Sequence, residues 1–517
     1  MTGNADARIA QMVAAHSASP LGVSAAIELA AQANETEHEA LALPVLTSVA
    51  AKNSGDFRLW QWIGLLQRGL DRRDLAIPAF EAAARLAPRD ALVAHSLARV
   101  MFEAGLPALD QFDRALSLAP QDSHVMLGRA AARFALGDGD GALDDLDAQL
   151  QQRPDWLEGH RDRIHLGWML GHGDSAFDTF KRALQADTYR LAMWQTGIVA
   201  LIDAGRHQQA LGSIRNARKL VGETPFFDLH EAIILSELGQ TEAADRKFSA
   251  SGASEDPLLG VHLVRHDLRN GRLDTAATRL DGAIARHEAS ALWPYADIVW
   301  RLTGDDRQHW LDCDHQLIKV IDLADDLPPL DRLAGLLRGL HTARHEHLDQ
   351  SVRGGTQTDG ALFSRIEPDI MAVRAVIAHA VADYVRALPQ PDPTHPLLSI
   401  GRKQATRFSG SWSVRLAGRG HHANHVHPAG VISSALYVSL PPADPQADGR
   451  AGWLTMGEPQ AELGISLSPF RHVEPKPGQL VLFPSYLWHG TVPFDSGERL
   501  TIAFDVARPR QRLSNIG

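Results

Sequence analysis

Six histidines fall within one stretch near the C-terminus: His421, His422, His425, His427, His472 and His489. Three of them have spacing suited to chemistry. His425 and His427 are two apart, so an extended strand would point both to one face. His489 follows the strand-like run QLVLFPSYLW and precedes the turn residues PFDSGE. Arg499 lies ten residues beyond His489, with Thr501 two further on. A turn around Asp495–Gly497 is expected to fold Arg499 back beside His489 in a hairpin. Three side-chain ligands on one side of a metal leave its other face open, as non-haem Fe(II) centres require. A guanidinium one strand away can hold a carboxylate in a bidentate pair, and the Thr501 hydroxyl can share it. That set suits a metal-held 2-oxo acid such as 2-oxoglutarate. His421 and His422 follow a Gly-Arg-Gly turn, and His472 sits between Arg471 and Glu474, so these three are expected at the surface.

The elements that must position these groups change character along the chain. After Pro396, Trp412, Val414 and Leu416 alternate with polar residues, and VISSALYVSLPP, QLVLFP and LTIAFDVA follow. Short β-rich runs between Gly, Pro and Asp turns predict an antiparallel barrel or sandwich. Upstream, 294–301, 308–324 and 366–388 have helical period. The segment 349–360 (DQSVRGGTQTDG) reads as a loop that either reaches the site or caps a helix. It is no phosphate cradle, since no Lys-Ser/Thr pair follows Gly355. His341 and His345 are spaced for one helix face, expected to be solvated. Trp488 suits either core or substrate wall.

The first half is periodic. Alanines recur at 42, 76, 108, 142, 176, 210, 244 and 276, at intervals of 34, 32, 34, 34, 34, 34 and 32. Four residues after each stands a larger apolar residue, from Leu46, Phe80 and Phe112 to Leu280. Gly137, Gly171, Gly205, Gly239 and Gly271 each precede one of these alanines by five residues, and Pro88, Pro120 and Pro154 close units. The glycine allows a tight turn between two helices. The alanine allows their close approach, and the residue one turn on fills the core. The pattern resembles tetratricopeptide repeats, about eight units over roughly residues 25–290. The resemblance implies an array that holds a peptide or partner protein. Trp60, Trp62 and Trp194 are expected mostly in its core.

Residues 349–508 resemble the 2-oxoglutarate/Fe(II)-dependent oxygenase superfamily, in particular a branch carrying QS-x-R-G-G-T-Q-T, H-x-H-P…S-x-x-x-Y-V and P-x-x-G-x-L-V-L-F-P-S-x-L-x-H. Here these motifs run over Gln350–Thr358, His425–Val438 and Pro475–His489. The resemblance implies that His425, His427 and His489 are metal ligands and that Arg499 is the 2-oxoglutarate clamp. It also implies that Tyr437 touches the same carboxylate. The superfamily's usual second ligand is acidic, whereas position 427 is His. That replacement removes a negative charge from the metal's ligands.

The expected architecture is therefore multidomain α + β. Residues 1–290 form the repeat solenoid, 291–390 a helical connection with support helices, and 391–517 a double-stranded β-helix (jelly roll). The expected activity is a 2-oxoglutarate- and Fe(II)-dependent dioxygenase hydroxylating a protein or peptide recruited by the array. Two alternatives stand beside it: a tetratricopeptide scaffold with a degenerate metal-binding β-domain, and a cupin-like metalloenzyme not using 2-oxoglutarate. Cupins place a Glu a few residues after the second His, and residues 429–432 contain none.

The 517 residues exceed a single core, and 44% hydrophobic content excludes wholesale disorder. A net charge of −11 disfavours nucleic acid as a partner. Cys313 is the only cysteine, so neither an intrachain disulfide nor a cysteine-built zinc site can form. No stretch approaches the ~18 apolar residues of a membrane span, and the start lacks a signal-like apolar segment. The expected location is the cytoplasm.

Overall fold

The computed structural model describes residues 2–187, 190–250, 257–286, 290–348, 350–402, 406–442 and 449–508. The last nine residues of the expected third domain lie outside them. The chain divides into two compact units, one built on Met1–Leu146 with Asp359–Ala372, the other on Asp147–Thr358 with Val373–Pro509.

In the first unit, helices Val23–Glu35, Phe57–Gly69 and Ala91–Glu103 each pair with the helix that follows. Ala42, Ala76, Ala108 and Ala142 are all buried, as are Leu46, Phe80, Phe112 and Leu146. A feature that the alanine rhythm left unread explains the fit of the aromatic rings. Gly64 and Gly128, on the opposing helices, have no room for a Cβ, because Phe80 and Phe112 press against them.

The second unit continues the same construction. Ala176, Ala210, Ala244 and Ala276 are buried with Phe180, Ile214, Phe248 and Leu280. The turn glycines Gly171, Gly205, Gly239 and Gly271 have φ between +66° and +84°, the left-handed region that a helix-ending glycine supplies. Trp194 is buried in this core, while Trp60 and Trp62 are half-buried against the core of the first unit. These helix pairs are a tetratricopeptide-type array.

Among the described residues, nine strands form an antiparallel β-domain in the second unit. They are β1 (Lys319–Asp322), β2 (Val352–Gln357), β3 (Phe408–His422), β4 (Gly430–Ser439), β5 (Leu454–Met456), β6 (Arg471–Val473), β7 (Gln479–Pro484), β8 (His489–Thr491) and β9 (Glu498–Ala507). One sheet has the order β1-β7-β4-β9-β3-β2 and the other β6-β5-β8. β4 and β9 are central and buried along nearly their whole length, so the polar residues they carry, Ser433, Ser434, Arg499, Thr501 and Asp505, are buried with the apolar ones.

Several expectations need correction. Segment 308–324 is not one helix. A short helix, Arg307–Asp312, gives way to β1, which pairs with β7. The Gly/Thr/Gln-rich segment at 349–360 contains an edge strand, β2, paired with β3. Gly354 (φ +65°) lies at a register shift in that pairing, and Gly355 leaves no room for a Cβ against Arg415. The helix Leu330–Leu340 ends before His341, so His341 and His345 share no helix face. His341 instead reaches Thr356 Oγ1 (2.8 Å) and Ser413 Oγ (3.1 Å), and burial lowers its pKa to about 4. Trp488 is core, 1% exposed, and its indole N–H donates to the Pro294 carbonyl at 2.9 Å.

Candidate metal centre

The three histidines meet between the two sheets, but not by the expected route. His425 and His427 lie on the irregular link from β3 to β4 rather than on a strand. His425 forms an isolated antiparallel bridge with His489, with N–H to carbonyl distances of 2.9 and 3.0 Å in the two directions. The His427 amide donates to the Ser485 carbonyl at 3.0 Å. Backbone pairing thus ties all three residues to the β7–β8 corner. Gly490 has no space for a Cβ because Asn424 and the His422 carbonyl lie against it.

Side-chain hydrogen bonds then set the tautomers. The Nδ1 of His425 faces the Ala423 carbonyl at 2.9 Å, and that of His489 faces the Leu487 carbonyl at 2.9 Å. A carbonyl only accepts, so both Nδ1 atoms carry the proton and both Nε2 atoms present a lone pair. His427 Nδ1 faces Asp505 Oδ2 at 2.7 Å, with the same consequence. One ligand atom from each of the three rings lies within 4.8 Å of the others. Removal from water and mutual repulsion lower the His425 pKa to about 3 and hold His489 well below the usual imidazole value. Neutral rings with oriented second nitrogens are what a divalent metal requires. The donor set therefore fits Fe(II).

The carboxylate end is also present. Thr501 stands opposite Tyr437 in the β4–β9 pairing and opposite Val414 of β3. Arg499 pairs in register with Leu416 of β3, and β8 pairs with β5, so the expected His489–Arg499 hairpin does not form. Arg499 nonetheless lines the same cavity as the histidines, because Arg499 and Thr501 share a face of β9. The Arg499 guanidinium carbon is 5.1 Å from the Tyr437 ring centre. Both side chains are buried, yet Tyr437 Oη and Arg499 Nε have no hydrogen-bond partner of normal geometry among the described residues. Burial pushes the Arg499 pKa down and the Tyr437 pKa up, each partly offset by the other. A buried guanidinium and phenol left short of partners fit an absent carboxylate.

The cavity, partly open to its surroundings, has a volume of about 50 Å³. A water-sized sphere takes roughly 10–15 Å³ on this measure, so it admits about four waters. A second cleft, about 460 Å³, shares Gln350, Ser351 and His425 with this cavity. Trp168, the 202–205 turn of the repeat array and Glu346 form its other walls.

Three residues had gone unread or been misread. His422 is not at the surface: it lines the cavity, stacks 5.6 Å from His425 and meets Ser351 Oγ at 3.0 Å. Its place at the end of β3, opposite Val352, depends on β2, whose Gly/Thr/Gln-rich sequence by itself reads as a loop. Trp412 lies parallel to His427, with ring centres 5.7 Å apart. Asp505 belongs to the same face of β9 as Arg499 and Thr501, a period-two signal visible in the sequence. His421 and His472 are half-buried and do not line the cavity.

Residues 410–505 match the family model described as "Putative 2OG-Fe(II) oxygenase". No curated protein sequence matches the chain. Among solved structures, a tetratricopeptide repeat protein from Parabacteroides merdae is 16% identical, covering 46% of this chain and 96% of its own, with a TM-score of 0.30. Yeast Tom70 is 17% identical, with coverage of 55% and 63% and a TM-score of 0.36. A Pseudomonas putida prolyl-4-hydroxylase is 19% identical, with coverage of 38% and 96% and a TM-score of 0.26. The chain joins a tetratricopeptide-type repeat array to a C-terminal domain that matches the 2-oxoglutarate/Fe(II) oxygenase family model.

Proposed function

We propose that the chain is a 2-oxoglutarate- and Fe(II)-dependent dioxygenase that hydroxylates a protein or peptide segment. The observation that carries this reading is the pairing of three Nε2 lone pairs with a buried, under-partnered Arg499 and Tyr437 in one cavity. His425, His427 and His489 would hold the metal. When bound, Fe(II) with 2-oxoglutarate would supply the reduction of dioxygen, with one oxygen atom entering the substrate C–H bond and the other entering succinate as 2-oxoglutarate loses CO2.

The chain's own residues do the rest. Arg499 neutralises the distal carboxylate of the cosubstrate, Tyr437 and Thr501 donate hydrogen bonds to it, and the flanking sheets exclude water. The 460 Å³ cleft is the substrate's approach, since it reaches His425 and falls in the range of ligand-sized pockets. The array contributes to its wall through Trp168 and the 202–205 turn, which supports a polypeptide substrate. No helix among the described residues is long and apolar enough to cross a membrane.

The test is anaerobic titration of apo-protein with Fe(II) and 2-oxoglutarate. The visible charge-transfer band of a chelated 2-oxo acid is expected, weakened in Arg499→Ala and absent in His489→Ala. Metal binding without the band would overturn the 2-oxoglutarate reading. Unchanged metal content in His489→Ala would overturn the ligand assignment.

A further inference from the structure

The site has an unusual charge balance. In a two-histidine, one-carboxylate Fe(II) centre the ligating carboxylate donates a negative charge directly. Here position 427 is His, and three neutral imidazoles bring none. A carboxylate is nevertheless present one bond further out. Asp505 Oδ2 accepts the His427 Nδ1 proton at 2.7 Å, and Asp505 Oδ1 accepts from Ser433 Oγ at 2.6 Å. Ser433 Oγ and Ser485 Oγ are 2.9 Å apart. With the Ser433 proton on Asp505, that contact requires Ser485 to donate to Ser433. The two donors that face its carboxylate, His427 Nδ1 and Ser433 Oγ, suit a group that accepts from both.

The surroundings are built to keep this arrangement. Asp505 is 9% exposed, at the end of the β9 face that also carries Arg499 and Thr501. Gly430 leaves the space beside it: a Cβ there would lie 2.8 Å from Ser485 Oγ and 3.2 Å from Asp505 Cβ. Trp412 lies parallel to the His427 ring, 5.7 Å away, and limits its tilt. His427 is thus fixed by a carboxylate on one edge and an indole on one face.

Resting on the metal-centre reading above, we propose that Asp505 is a positioning residue that, through His427, returns to the metal the negative charge its ligands lack. The carboxylate draws the Nδ1 proton, raises electron density at Nε2 and strengthens its bond to a cation. Asp505 therefore sets Fe(II) affinity and favours the higher oxidation state.

The test is Asp505→Asn in the full chain. The amide is isosteric and still accepts from His427 Nδ1, so the ring stays oriented while the charge is lost. Fe(II) affinity, measured anaerobically by chelator competition, should fall about 10–100-fold. The Fe(III)/Fe(II) midpoint potential should rise, and the thermal midpoint of the apo-protein should stay near wild type. Ser433→Ala, which removes one hydrogen bond to Asp505 but not its charge, should shift affinity far less. Should Asp505→Asn fold poorly, Asp505→Thr takes its place: its hydroxyl can accept from His427 Nδ1 without a charge, suits a β-strand, and should lose Fe(II) affinity to the same extent. Wild-type affinity and potential in Asp505→Asn or Asp505→Thr, or equal losses in Ser433→Ala, would overturn the proposal. Failure of wild-type protein to bind Fe(II) would instead overturn the metal-centre reading, and is seen before any variant is made.

Discussion

Replacing Arg499 by Met should make the apo-protein more stable and blind to 2-oxoglutarate. Arg499 is 2% exposed, and the one group favouring its charge is the Tyr437 hydroxyl. Burial lowers its pKa, so the folded apo state bears a desolvation penalty that no carboxylate repays. Methionine fills similar volume without that charge. Replacing buried charges by apolar residues of like size is typically neutral or stabilising by about 1–4 kcal/mol. The second unit is larger than 250 residues, so each kcal/mol moves its thermal midpoint by about 2 °C or less. A rise of a few degrees is expected in the apo form. With metal present, 2-oxoglutarate at a hundred times its Kd should stabilise wild type by about 2.7 kcal/mol and the variant not at all. Thermal unfolding by calorimetry, with and without the cosubstrate, reads both effects. A variant less stable than wild type that still responds to 2-oxoglutarate would refute the reasoning, because Arg499 would then be structural.

Gly490→Ala should weaken Fe(II) binding at least tenfold, read by the same chelator competition, because the added methyl forces Asn424 and the His422 carbonyl away from β8 and spreads the His425–His489 bridge. Acid should destabilise the second unit below pH 6.5. His341 and His262 have folded pKa values lowered to about 4 by burial, so the unfolded chain binds more protons between about pH 6.5 and 4. Their contribution is present above pH 6.5 and declines through that window by a few kcal/mol in all, measurable as a falling denaturation midpoint that flattens in His341→Gln. In the first unit, Phe80→Ala removes a fully buried ring packed on Gly64 and should cost about 3–5 kcal/mol, read as loss of the helical signal at lower denaturant.

The repeat array was legible because its signals are local. A glycine with positive φ, an alanine and a core residue one turn later recur whatever lies elsewhere in the chain. The three histidines that meet in the cavity were legible from spacing and motif together. What escaped depends on pairing between distant segments. Val352–Gln357 has few strand-forming residues, and only β3 beside it makes it a strand. The placement of His422 inside the cavity then follows from β2, so one misreading caused the other. The expected hairpin between His489 and Arg499 failed because β8 and β9 belong to different sheets, a choice that turn residues do not encode. Asp505 was readable by counting in twos from Arg499, but its partner, His427, lies 78 residues away on an irregular link.

β9 carries the proposed cosubstrate clamp at Arg499, a hydroxyl at Thr501 and the carboxylate at Asp505, all on one face, and pairs along most of its length with β3 on one side and β4 on the other. A slip of one residue would turn all three outward together, and the double pairing forbids that slip. The spacing between clamp and carboxylate therefore works as a ruler held at both edges. Insertions or deletions in the turn before Glu498 can lengthen or shorten that loop without changing the ruler. The chain can vary its rim to suit new substrates while the interval that its chemistry depends on stays the same.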